Sequence, residues 1–236
     1  MEILHEILRY THMIGGFVGL GLFWIPIFSK KGGKIHRQMG KYWTWLGRLV
    51  VLSALAGLFL YIPEIIEKNM SPNSYAPLLF LAYLSVVTYI IISYGVAVLA
   101  SKKDPLIMNT LYWNSMAYIS LVASICIIAF AFIIKPDSMV VLLALSPVGL
   151  LTGFGILKYI KGKHSSNKAW LYEHLGSMLG AGIAFHTAFA VFGVTRIFDI
   201  GLEGFIAVIP WILPAVIGIP AQIIWTRHYQ RKFKEI

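Results

Sequence analysis

Seven long apolar runs, separated by short polar connections, dominate the pattern of the chain. They cover about residues 10–29, 43–63, 77–100, 109–134, 139–160, 170–195 and 205–226. A helix rises about 1.5 Å per residue, so roughly 20 apolar residues cross the hydrocarbon of a bilayer. The pattern therefore predicts an all-α fold, a bundle of seven transmembrane helices that forms a single domain over residues 1–236.

The composition agrees with a membrane protein and excludes a soluble one. Hydrophobic residues make up 58% of the 236 residues and charged residues only 13%, whereas a soluble domain carries about 25% charged residues. The single cysteine excludes a disulfide framework. Because Glu2 and Glu6 stand where a signal peptide would be basic, we expect the first span to remain in the mature protein.

The placement of the basic residues predicts the orientation. Of the 20 lysines and arginines, all but four lie in or beside the first, third and fifth loops and the C-terminal tail. The four others are Arg9, Lys68, Lys135 and Arg196. Since cytoplasmic loops are rich in Lys and Arg, the N-terminus is predicted outside and the C-terminus in the cytoplasm. We expect a multi-pass protein of the bacterial cytoplasmic (inner) membrane, with the lipid bilayer as its partner. The charge of +10 then reflects topology, and no folded basic face suggests nucleic-acid binding.

The sixth run carries the most unusual chemistry. Glu173, His174 and His186 interrupt a glycine-rich apolar stretch between Trp170 and Arg196. Ionisable residues at membrane depth are costly, so they usually face a bundle interior and usually have a function.

The histidines fall into two predicted layers, which suggest haem ligation. His12 and His186 would share the outer level, and His36 and His174 the inner one. Paired imidazoles at two depths are the axial ligands that two b haems need to pass electrons across a bilayer. The first hypothesis is therefore a haem-binding electron-transfer protein with a redox partner. Two features oppose it, since His174 and His186 are separated by about 120° around a helix and His36 is expected in a loop.

Other interpretations of these residues remain open. A cluster of His36, Glu173 and His174 would suit zinc and a membrane-embedded, zinc-dependent hydrolase, although no H-x-x-x-H or H-E-x-x-H spacing is present. A small-molecule transporter or sensor is the alternative. Its ligand cavity would lie between the first, sixth and seventh helices, which are rich in glycine or proline. Each histidine could instead be a structural, hydrogen-bonded residue, and small-residue faces could form a homo-oligomer.

Three stretches resemble a known family. They are KGGKIHRQMGKYW at residues 31–43, EHLGSMLGAGIAFHTAFAVFG at residues 173–193 and IPWILPAVIGIP at residues 209–220. Together they resemble the bacterial predicted membrane proteins grouped as domain of unknown function 2306. The resemblance implies a multi-pass helical membrane protein and supplies no mechanism.

Overall fold

The computed structural model describes residues 2–164, 166–194, 197 and 208–235, and these residues contain helices and no strand. The helices are α1 Glu2–Phe28, α2 Lys34–Glu67, α3 Pro72–Ala97, α4 Leu111–Ile134, α5 Met139–Leu145, α6 Pro147–Ile160, α7 Ala169–Ala188 and α8 Ile209–Lys232. Two short 3-10 helices, Val98–Ala100 and Pro105–Met108, follow α3, and a π-helical segment, Phe189–Val194, continues α7. Arg196 and the predicted start of the last span lie outside the described residues.

Seven helical stretches within the described residues are long and apolar enough to cross a membrane, with α5 and α6 together making one of them. This confirms the predicted class, an all-helical multi-pass membrane protein, and the predicted number of spans. The direction in which the chain crosses stays a prediction.

The helices extend beyond the apolar runs, and this corrects one prediction. α2 begins at Lys34, well before the run that starts near residue 43. His36, expected in a loop, therefore lies in the first turn of a helix. Hydropathy marks only the part of a helix that suits hydrocarbon, whereas helical hydrogen bonding continues through the polar residues that flank it.

The described residues cluster into two compact units. Unit 1 comprises the chain up to Ser93 together with Leu111–Leu157, and unit 2 comprises Tyr94–Thr110 and the chain from Lys158 onwards. In unit 1, α1 and α2 form a tight hairpin. A Cβ atom added at Gly15 would lie 2.9 Å from Val50 and 3.4 Å from Leu46, so the absence of a side chain at Gly15 permits this close approach.

The break between α5 and α6 is the most unusual backbone feature of unit 1. Pro147 has no amide hydrogen to continue the helical bonding, so the span is interrupted at Ser146. The hydroxyl of Ser146 donates to the carbonyl of Leu143 at 3.3 Å, in place of the missing amide. A break at membrane depth exposes backbone groups, which must then find other partners.

Side chains from α3 and α4 supply those partners. The Tyr83 hydroxyl donates to the Ser146 carbonyl at 2.7 Å and accepts from the Gly149 amide at 2.9 Å. Ser124 donates to the same Ser146 carbonyl at 2.8 Å, and Ser120 donates to the Gly149 carbonyl at 2.8 Å. All five residues are buried. The polar residues of these spans therefore compensate the helix break.

Candidate functional site

The four predicted histidine ligands share one orientation. His12 Nδ1 lies 2.9 Å from the Val50 carbonyl oxygen, and His36 Nδ1 lies 3.1 Å from the Pro26 carbonyl oxygen. In each case a carbonyl can only accept, so Nδ1 carries the proton and donates. These two rings belong to unit 1, where His12 joins α1 to α2.

The histidines of unit 2 are held in the same way. His174 Nδ1 lies 2.6 Å from the Gly95 carbonyl oxygen, and His186 Nδ1 lies 2.7 Å from the Gly182 carbonyl oxygen one turn earlier in α7. Metal-ligating histidines commonly donate one ring N–H to a backbone carbonyl, because this fixes the tautomer and the ring orientation. Structural histidines make the same bond, so the orientation fits both interpretations.

His36 also has a clear local role at the end of α1. The last carbonyls of a helix lack intrahelical donors. The Pro26 carbonyl accepts from His36, from Ser29 Oγ at 3.2 Å and from Lys31 Nζ at 2.9 Å, and Lys31 donates to the Ile27 carbonyl as well. The basic loop and the first turn of α2 thus cap α1.

The haem interpretation stays a prediction. Each proposed pair takes one histidine from unit 1 and one from unit 2. α7 is a regular α-helix through Ala188, and its π-helical continuation begins only at Phe189. His174 and His186 therefore remain about 120° apart around the helix.

The zinc interpretation also stays a prediction. Among the described residues, no group of three or more His, Cys, Asp or Glu side chains is arranged to hold a metal ion. The proposed ligands His36, Glu173 and His174 gain no support from this finding.

Glu173 is the centre of a polar group in unit 2. It lies in α7, about 6 Å along the axis from the first residue of that helix, and its side chain is half-buried. The Tyr94 hydroxyl, from the last turn of α3, donates to Glu173 Oε2 at 3.0 Å. The salt bridges among the described residues join Arg9 to Glu6 and Lys68 to Glu64, so no described basic group pairs with Glu173. Lys158 attracts it electrostatically from a greater distance.

Tyr94 connects this carboxylate to further aromatic and hydroxyl side chains. The rings of Tyr94 and Tyr159 meet edge to face with centroids 6.1 Å apart. The Tyr159 hydroxyl is 2.8 Å from Ser101 Oγ, which donates to the Val98 carbonyl at 2.9 Å. His164 stacks on the Tyr159 ring with centroids 5.7 Å apart. Sequence reasoning identified Glu173 and missed Tyr94 and Tyr159, although a tyrosine within an apolar run usually has a hydrogen-bond partner.

The two faces of α7 that flank Glu173 pack against different elements. On one side, His174 bonds to Gly95, and a Cβ atom at Gly95 would lie 2.6 Å from Ser177 Cβ. On the other side, a Cβ atom at Gly176 would lie 3.0 Å from Gln222 Nε2 of α8. Glycines at these positions therefore allow close packing on both sides of the carboxylate.

The C-terminal residues contact the start of α7. Glu235 accepts hydrogen bonds of 2.6 Å from Ser166 Oγ and from the Tyr172 hydroxyl. These two bonds, with a weaker contribution from Lys168, lower the pKa of the Glu235 carboxyl below its ordinary value. Lys168 also lies over the Phe233 ring at 5.5 Å. The basic tail predicted from the sequence is therefore helical through Lys232 and then turns onto this loop.

Comparisons with family models, with curated proteins and with solved structures return no match. The resemblance to the family of domain of unknown function 2306 therefore stays a prediction of the sequence.

Proposed function

We propose that this protein is a cation-dependent transporter or sensor of the bacterial cytoplasmic membrane and that Glu173 is the residue that binds the cation. The observation that carries the proposal is the half-buried Glu173 carboxylate, which lies inside a membrane-spanning helix and forms no salt bridge with any described residue.

Electrostatics supports a bound cation at this position. Removing an ionised carboxylate from water is costly unless an opposite charge or several hydrogen bonds compensate. Tyr94 supplies one hydrogen bond, to one of the two oxygens, and Lys158 acts only from a distance. A mobile cation at Glu173 would supply the missing positive charge. Binding of such an ion would also change the charge at a contact between α3 and α7, which is how a ligand alters helix packing in a transporter or sensor.

The predicted topology indicates the side of the membrane from which Glu173 is accessible. With the N-terminus outside and the C-terminus cytoplasmic, the N-terminal end of α7 lies at the cytoplasmic side. Glu173 would then lie just inside the cytoplasmic boundary, where a solute from the cytoplasm can reach it.

The experiment is thermal unfolding of the purified, detergent-solubilised protein in series of sodium, potassium and ammonium chloride. A ligand that binds only the folded state stabilises it by about 2.7 kcal/mol at 100 times its Kd. We expect at least one cation to raise the unfolding temperature of the wild type saturably, with the increase lost in Glu173→Gln. The control, Glu67→Gln, makes the same chemical change at an exposed residue and should behave as the wild type does. Equal responses of the wild type and Glu173→Gln to every cation would exclude the proposal.

Haem binding is the second candidate, because the orientation that the four histidines share is one that axial ligands need. His12, His36, His174 and His186 each direct Nδ1 towards a backbone carbonyl, as axial histidines do. Visible spectra of the purified protein from haem-replete cells, oxidised and then reduced, provide the test. A reducible haem band that weakens in His186→Ala would support this candidate, and a colourless protein would reject it.

A further inference from the structure

The position of Glu173 around α7 lies between the residues that contact α3 and those that contact α8. With about 100° per residue, His174 and Ser177 lie at about +100° and +40° from Glu173, and both contact the last turn of α3. Gly176 and Ile183 lie at about −60° and −80°. A Cβ atom at Gly176 would meet Gln222 of α8 at 3.0 Å, and one at Gly218 of α8 would meet Ile183 Cδ1 at 2.5 Å. Glu173 therefore points between these two neighbours.

The same direction along α7 contains only small side chains beyond the carboxylate. Gly180, Ala184 and Thr187 follow at about −20°, +20° and −40°. A Cβ atom at Gly180 would meet no atom of the described residues within 4 Å, so these residues leave open space about 10 Å along the helix from Glu173. A solute held by the carboxylate thus has room to extend towards Gly180.

Gln222 provides a second polar group beside this space. It lies within a span of α8, and its amide reaches the backbone of α7 one turn beyond Glu173. It forms no hydrogen bond with any described residue. A side-chain amide both donates and accepts, so it suits a polar group of a bound molecule.

The available ligands favour an ammonium group over a metal ion. Hard metal cations take several oxygen ligands, commonly with more than one carboxylate, and no cluster of metal-binding side chains exists among the described residues. An ammonium group needs up to three acceptors. The candidate acceptors are Glu173 Oε1, the Gln222 side-chain carbonyl and the Tyr94 oxygen.

We infer that the groove between the last turn of α3 and α8, with Glu173 at its end, binds a small organic ammonium compound. The ammonium group binds Glu173, the organic part lies towards Gly180, and Gln222 contributes to specificity. The inference rests on the proposed function, because it names the class of cation that Glu173 binds.

The test uses the full chain in detergent, with propylammonium chloride as the probe and propanol as its uncharged counterpart. Propylammonium should raise the unfolding temperature of the wild type at concentrations at least tenfold below those at which sodium or potassium has any effect, and propanol should not. The increase should disappear in Glu173→Gln. Gly180→Leu, which fills the groove, and Gln222→Leu should each raise the half-saturating concentration at least tenfold.

One matched control accompanies these variants, and the possible outcomes are distinguishable. Gly21→Leu makes the same change at an open position of α1 and should bind propylammonium as the wild type does. If sodium or potassium stabilises the protein through Glu173 and propylammonium does not, the ammonium inference is wrong and the proposed function stands. If both Gly180→Leu and Gln222→Leu bound propylammonium with unchanged affinity, the inference that the ligand lies in this groove would be wrong. Stabilisation by propylammonium that persists in Glu173→Gln would overturn the ammonium inference, and no stabilisation by any cation would overturn both proposals.

Discussion

The substitution Tyr83→Phe tests how the broken span is stabilised. It removes one oxygen atom and preserves the ring of a residue that is only 4% exposed in the core of unit 1. That oxygen accepts from the Gly149 amide at 2.9 Å and donates to the Ser146 carbonyl at 2.7 Å. Without it, the Ser146 carbonyl retains the bond from Ser124, whereas the Gly149 amide loses its partner in the first turn of α6.

The expected magnitude follows from that difference. A buried donor left without a partner costs about 1–3 kcal/mol, whereas a bond whose partner is otherwise satisfied contributes about 0.5–1.5 kcal/mol. Tyr83→Phe should therefore reduce the free energy of unfolding by about 2 kcal/mol. Ser124→Ala should have the smaller effect, because Tyr83 continues to donate to the Ser146 carbonyl.

Reversible unfolding in mixed micelles, followed by circular dichroism, measures both losses. Tyr118→Phe is the matched control, since Tyr118 is 53% exposed and should change stability by less than about 0.5 kcal/mol. If Tyr83→Phe were no more destabilising than Tyr118→Phe, the hydroxyl would not be compensating the helix break, and this explanation of the buried polar residues would be wrong.

Three further predictions follow from the packing and the hydrogen bonds. Gly149→Ala should destabilise unit 1 by about 1–3 kcal/mol, because its Cβ atom would meet the Ser120 carbonyl at 2.9 Å, whereas Gly155→Ala has open space and should be neutral or slightly stabilising in the same unfolding assay. His36→Ala should increase amide hydrogen exchange in the last turn of α1, with exchange in α7 unchanged as the internal control. The lowered pKa of Glu235 means that its contacts stabilise the fold above the unfolded value of about 4.3 and are lost as the pH falls through the folded value. The stability difference between the wild type and Glu235→Gln should therefore vanish in acid, and a constant difference would contradict this assignment.

The sequence was sufficient to predict the number and class of the spans, because hydrophobic length depends only on local composition. The ends of the helices were predicted less well. α2 begins at Lys34 because helical bonding does not stop where the chain becomes polar, and hydropathy alone therefore wrongly predicts a loop at His36. The unusual residue Pro147 is visible in the sequence, but its consequence depends on Tyr83, which lies 63 residues before Ser146 in the chain.

The candidate site, too, was only partly predictable from the sequence. Glu173 stood out because a carboxylate is rare in an apolar run, and the sequence was enough to find it. Its partner Tyr94 is 79 residues away in the chain, and no periodicity within one helix specifies a contact between two. The carbonyl groups that accept from the histidines could not be predicted either. Every residue has a carbonyl, and only the packing determines which one a histidine reaches.

Infrared difference spectroscopy tests the central claim, cation binding at Glu173, most directly. The purified protein is exchanged between buffer without and with saturating cation, and the carboxylate stretching bands that change are recorded. We predict a cation-induced carboxylate band in the wild type that is absent in Glu173→Gln and unaltered in Glu67→Gln. Identical difference spectra for the wild type and Glu173→Gln would contradict the claim, because the cation would then bind elsewhere or not at all.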